Sequence, residues 1–202
     1  MLDTIRNEKI IAILRNIPSD KIVDLVETIY LQGIKVLEVS LISEESFYQI
    51  EKLKKCFGSK MTIGAGTVLN AESAKKAMDV GSDFLFAPSS DREVLDYCAK
   101  NSIKFIPGVL SPSDVSLCLS YGYNLLKLFP ANVFPLNYIK SLKGPFPTTE
   151  YIAVGGVNAD NCKSFLSSGF IGVGVGSNLF PKELIANNDW EAIKQNISRF
   201  KF

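Results

Sequence analysis

The sequence predicts an α/β fold of the (β/α)8 TIM-barrel class, one domain over residues 1–202. Three observations predict it. Eight short apolar runs recur at even intervals, each is followed by a stretch with helical periodicity, and no domain-sized segment is left over. The runs are Ile10–Leu14, Val36–Leu41, Met61–Ile63, Phe84–Ala87, Phe105–Leu110, Leu125–Phe129, Tyr151–Val154 and Ile171–Val175. They are rich in Ile, Val, Leu and Phe without clean alternation, which suits strands buried on both faces of a parallel sheet. Eight βα units of roughly 25 residues sit at the lower size limit of such a barrel. A doubly wound open sheet is the structural alternative, disfavoured because eight is the barrel number.

The helices follow in order. Ile22, Val23, Val26, Ile29 and Tyr30 keep a 3–4 spacing, with Ser19 before Asp20 as the expected cap and Gly33 past the end. Glu44–Cys56, Ala71–Val80, Arg92–Lys100, Pro112–Tyr121, Leu136–Leu142, Ala159–Ser168 and Trp190–Phe200 fill the remaining gaps. Asn70 and Ser111 have N-cap chemistry, and Pro112 sits in a first turn, where proline is tolerated. Gly81, Gly122 and Gly169 occupy positions where a left-handed residue ends a helix.

Composition excludes several function classes. Twenty-two Lys+Arg against 21 Asp+Glu leave +1, which gives no footprint for nucleic acid or a membrane surface. No apolar run approaches the roughly 18 residues of a membrane span, and the N-terminus lacks a secretory layout, so a cytoplasmic protein is expected. The four cysteines, Cys56, Cys98, Cys118 and Cys162, are widely spaced and read as free thiols. With no histidine, His-liganded metals and Ser-His-Asp or Cys-His nucleophile systems are impossible, and acid–base work falls to Glu, Asp, Lys, Tyr or Cys.

On this barrel, sites lie at the C-terminal strand ends, so polar residues within or after the apolar runs are the candidates. Lys127 sits in Leu125-Leu126-Lys127-Leu128-Phe129-Pro130. Desolvation there lowers its pKa, as a Schiff-base lysine requires; a snorkelling or ion-paired lysine is the plain alternative. Glu38, in Val36-Leu37-Glu38-Val39-Ser40-Leu41, points toward the same mouth if the strands align, with a pKa suited to a proton shuttle. Arg15 ends the first strand and can grip a carboxylate through two hydrogen bonds, or else lie on the rim in solvent.

Gly155-Gly156-Val157-Asn158 and Gly174-Val175-Gly176-Ser177-Asn178-Leu179 lie after strands seven and eight, where such barrels bind phosphate on backbone N–H groups. Gly64-Ala65-Gly66-Thr67-Val68 follows the third and fails the G-x-G-x-x-G spacing; Thr67 offers a hydroxyl and an N–H to a carboxylate, or simply serves a tight turn.

These stretches, in order along nearly the whole chain, resemble the KDPG/KHG aldolase family (2-dehydro-3-deoxy-6-phosphogluconate and 4-hydroxy-2-oxoglutarate aldolases). The Lys127 strand followed by Phe-Pro is the most specific of them. The resemblance implies a class I aldolase of carbohydrate metabolism (the Entner-Doudoroff context). It would cleave a 2-keto-3-deoxy-6-phospho sugar acid to pyruvate and D-glyceraldehyde 3-phosphate, with 4-hydroxy-2-oxoglutarate as a second substrate. It implies Lys127 as nucleophile, Glu38 moving protons, Thr67 at the pyruvate end, and phosphate held by Gly155, Gly156, Gly176 and Ser177. It implies a homotrimer without metal or organic cofactor, whose partners are small keto acids rather than nucleic acid or membrane. Ile42 stands where many gluconate-type members carry arginine, so Arg15 is assigned the carboxylate. Ala153-Val154 replaces Pro-Thr and looks like the 6-phosphogalactonate branch, and Phe134-Pro135-Leu136 replaces a glycine-containing pair. Two other functions compete: a phosphosugar epimerase or isomerase using Lys127 and Glu38 as acid and base, and a non-catalytic barrel that senses a phosphorylated metabolite.

Overall fold

The computed structural model describes residues 1–200. Positions 201 and 202, the end of the expected 1–202 domain, lie outside the described residues. Nine parallel strand segments form the barrel wall: β1 (Ile10–Leu14), β2 (Val36–Ser40), β3 (Thr62–Gly66), β4 (Leu85–Phe86), β5 (Phe105–Ile106), β6 (Gly108–Val109), β7 (Leu125–Leu128), β8 (Glu150–Val154) and β9 (Gly172–Val175). They pair in the order β5-β4-β3-β2-β1-β9-β8-β7-β6, and among the described residues ten α-helices, α1 to α10, intersperse them.

The expected fifth strand is broken into β5 and β6 at Pro107. Proline has no N–H to give to a ladder. On one side of it β5 pairs with β4, on the other β6 pairs with β7, and the Pro107 carbonyl accepts from the Lys127 N–H at 2.9 Å. The nine segments are thus eight staves, and the broken one closes the circle.

The third strand runs further than expected, through Gly64 and Gly66, which belong to the strand rather than to the turn after it. Larger side chains claim the room a Cβ would fill: the Phe84 ring at Gly64 and the Glu38 carboxylate at Gly66.

Two cores result from the period of two. Residues pointing out, such as Leu37, Val39 and Ala153, pack under the helices, whereas Ile11, Ile13, Val36, Phe84, Phe86, Ile106, Leu125 and Ile152 fill the cylinder.

The helices α2 (Ile22–Leu31), α3 (Glu45–Phe57), α4 (Ala71–Asp79), α5 (Arg92–Lys100), α6 (Pro112–Ser120), α7 (Tyr138–Lys143), α8 (Cys162–Ser167) and α10 (Trp190–Ser198) match the eight expected. Asn70 accepts from the Ser73 N–H, and Ser111 with Asp114 forms a capping box. Ser19 does not cap α2. Its hydroxyl instead accepts from Gln49 on α3 at 2.8 Å, because the chain turns once more before the helix starts at Ile22. Helix α7 starts two residues later than expected. The Phe134 ring stacks on Tyr138, whose hydroxyl donates to the Leu110 carbonyl.

Two short helices were not expected. Helix α1 (Leu2–Glu8) lies across the N-terminal end of the barrel and puts Ile5, 1% exposed, into the inner core over Gly172. Helix α9 (Lys182–Ala186) follows β9 at the opposite end. Among the described residues, no helix is long and apolar enough to cross a membrane.

Candidate active site

Glu38 and Lys127 each stand two residues beyond an inward apolar residue, Val36 and Leu125, so the strand period turns both into the cylinder. Glu38 is 1% exposed and Lys127 5%. The room for the Glu38 carboxylate exists because position 66 is glycine. Its Oε2 is buried without a hydrogen-bond partner. Burial drives its pKa from the ordinary 4.5 up to about 7, against the pull of Lys127 and Arg15 toward the charged form.

The Lys127 amine lies 4.3 Å from the Phe86 ring centre and 4.8 Å from that of Phe129. Its pKa is lowered, chiefly by burial; Glu38 opposes the shift and Arg15 adds to it. A lysine poised to lose its proton is a nucleophile for a carbonyl, and a carboxyl titrating near neutrality can both take and return a proton.

Above this pair opens a cleft of about 340 Å³ at the C-terminal strand ends. Phe129 joins the two levels, since its ring touches the Lys127 amine and also lines the cleft. The structure brings Arg15, Gly155, Gly156, Gly176 and Ser177 onto this one surface. Gly155 and Gly156 need to be glycine: their φ values are 99° and 70°, and a Cβ at Gly156 would enter the Asn132 side chain. Thr67 sits beside the cleft with a φ of 58°, rare for a β-branched residue. Its Oγ1 is 3.5 Å from an Arg15 nitrogen, which leads the exposed guanidinium across the mouth toward β3. Ile42 is 45% exposed on the rim.

Sequence reading missed three polar residues of the cleft, Asn16, Asn178 and Lys182. For the last two a signal was present in Gly176-Ser177-Asn178 and in the lysine after Pro181, but nothing local says that the chain folds back over the mouth there. Cys98, Cys118 and Cys162 are buried and Cys56 is exposed. Burial pushes the Cys98 and Cys118 thiols up to about 12, which removes both as thiolate nucleophiles near neutral pH. No group of three or more His, Cys, Asp or Glu among the described residues could hold a metal ion.

The model of the KDPG and KHG aldolase family matches residues 1–196. A 2-dehydro-3-deoxy-phosphogluconate aldolase of Haemophilus influenzae is 29% identical over 194 residues, 96% of this chain and 91% of that protein. A 2-dehydro-3-deoxy-6-phosphogalactonate aldolase of Escherichia coli is 31% identical over 172 residues, 85% of this chain and 84% of the other. Among solved structures, the KDPG aldolase of Legionella pneumophila, with pyruvate captured at low pH as a covalent carbinolamine intermediate, superposes with a TM-score of 0.93. It is 29% identical, with 100% of this chain and 98% of that one covered.

Proposed function

The chain belongs to the KDPG and KHG aldolase family, and we propose that Lys127 and Glu38 carry out its reaction: cleavage of a 2-keto-3-deoxy-6-phospho sugar acid, of phosphogluconate or phosphogalactonate type, to pyruvate and D-glyceraldehyde 3-phosphate. The neutral Lys127 amine adds to the C2 ketone, and loss of water gives an iminium. Glu38 takes the proton of the C4 hydroxyl. The C3–C4 bond breaks, its electron pair moves into the iminium as an enamine, and the aldehyde leaves. Glu38 supports return of a proton to C3, and water then hydrolyses the pyruvyl iminium to free Lys127.

The assignment rests chiefly on one observation: a buried lysine and a buried, unpartnered glutamate share the barrel interior beneath the cleft. A purely structural pair would be expected to satisfy its hydrogen bonds. In the assigned pose Arg15 and Thr67 hold the carboxylate at the pyruvate end, and backbone groups of Gly155, Gly156 and Gly176 with the Ser177 hydroxyl receive the phosphate. Cleavage of 4-hydroxy-2-oxoglutarate to pyruvate and glyoxylate follows from the same chemistry, since only the pyruvate half is needed at Lys127. A homotrimer is carried over from the family resemblance, and light scattering in solution tests it.

The deciding experiment is intact mass after incubation with pyruvate and borohydride. Wild type gains one pyruvyl adduct and Lys127→Ala gains none. Absence of an adduct on folded wild-type protein would end the Schiff-base reading and favour acid–base isomerisation at the same pair.

A further inference from the structure

We propose that Lys182 binds the substrate phosphate, completing the anion site that the loops after β8 and β9 begin. The proposal rests on the aldolase reading above and extends it by one residue, one that neither the glycine motifs nor the strand ends predicted. Arg15 and Lys182 are the charged residues lining the cleft, and no carboxylate lines it. A phosphate monoester brings a charge of about −1.5 to −2 at neutral pH. Backbone N–H groups and one serine supply hydrogen bonds but no compensating full charge.

The two cations reach the cleft from different elements. Around the barrel the strands run β3-β2-β1-β9-β8. Arg15, at the end of β1, reaches over β2 to Thr67 at the end of β3, away from β9. Lys182 begins α9, directly after β9, on the side of Gly176 and Ser177. Arg15 thus makes its hydrogen bond away from the glycine loops, and Lys182 lines the cleft together with them.

Its backbone is held in place. Leu179, Phe180 and Ile185 are buried. Asn178 donates to the Val157 carbonyl, Asn196 to the carbonyls of Asn178 and Leu179, and Lys21 to those of Ile185 and Ala186. The side chain, in contrast, is exposed and makes no ion pair or hydrogen bond among the described residues. Lys104, Lys140 and Lys163 are likewise exposed without an ion pair among the described residues, but among these lysines Lys182 is the one that lines the cleft. Lys182 is a cation on a fixed support, left without a protein partner at a cleft that has no anion.

The test compares two aldehydes condensed with pyruvate: glyceraldehyde 3-phosphate and unphosphorylated glyceraldehyde. Lys182→Ala is expected to raise KM for the phosphorylated aldehyde about tenfold, the order expected for losing a hydrogen bond to a charged group at a solvent-facing site. It leaves the unphosphorylated aldehyde and pyruvate trapping unchanged. Lys182→Arg keeps most of the wild-type KM, and added salt narrows the gap between wild type and Lys182→Ala. Equal effects on both aldehydes, or none on either, would overturn the assignment while leaving the aldolase intact. A wild-type protein that traps no pyruvate, or does not prefer the phosphorylated aldehyde, would overturn the underlying reading and Lys182 with it.

Discussion

The two mouths of the barrel are made from the same staves and treat charge in opposite ways. At the N-terminal mouth, Glu150 accepts from Arg6 at 2.6 Å and from Lys143 at 2.7 Å. Burial alone would raise the Glu150 pKa, yet the two hydrogen bonds and charges bring it below its ordinary value. Ile5 closes this mouth with apolar surface. At the C-terminal mouth the charges are left open: Glu38 has a buried oxygen without a partner, and Arg15 and Lys182 line a cleft with no acid on it. One mouth spends its polar groups on the fold, and the other keeps them for a ligand. Such a division is expected where stability lies at the strand starts and chemistry at the strand ends.

The largest expected effect is at the open mouth. Lys127→Ala removes the pyruvyl adduct and lowers kcat by at least about four orders of magnitude, as loss of a covalent nucleophile does. Single-turnover kinetics on folded protein checks it.

Glu38→Gln is expected to lower kcat by about 10²–10⁴-fold, and here the sign of the stability change separates a working residue from a structural one. The folded-state pKa is raised, so the proton on Glu38 stabilises the native state fully below about 4.5, and that contribution is lost as pH rises through about 7. Above that window the buried carboxylate costs on the order of 3 kcal/mol. Glu38→Gln therefore stabilises the protein at pH 8 and does little near pH 4.5. Denaturant titrations at the two pH values decide it, and a destabilised variant at pH 8 would mean that the carboxylate is structural.

The closed mouth should answer in the reverse manner. Ile5→Ala is expected to cost about 2–5 kcal/mol of stability, as large-to-small changes in a core do, with kcat per folded molecule unchanged. A fall in kcat without loss of stability would erase the distinction between the ends. Smallest of all, Glu150→Gln costs about 1 kcal/mol at low salt and less at high salt, because its partners are partly solvated. Its kinetics with either substrate should be those of wild type.

Much of this was legible in the chain, for physical reasons that differ by residue. Lys127 and Glu38 stood out because an ionisable side chain inside an apolar strand is costly, so its presence demands an explanation that neighbours in sequence can supply. Asn70 and Ser111 were legible because a cap acts over three residues. The strand reading of Phe105–Leu110 missed the break at Pro107, since a proline at the centre of an apolar run matters only once both neighbouring strands are in place. Ser19 had cap chemistry but met Gln49, thirty positions away, instead.

What the sequence by itself determined is the alternation of strands and helices, the cylinder that eight such units close into, and the identity of the two ionisable residues inside it. Periodicity, caps and the cost of burying charge act locally and so can be read locally. Tertiary structure alone decided that α1 would plug one mouth with Ile5, that Gly66 would make way for Glu38, that Arg15 would lean to Thr67, and that Lys182 would stand over the cleft. Each of those depends on an approach between segments far apart in the chain, and no local pattern carries the free energy of such an approach.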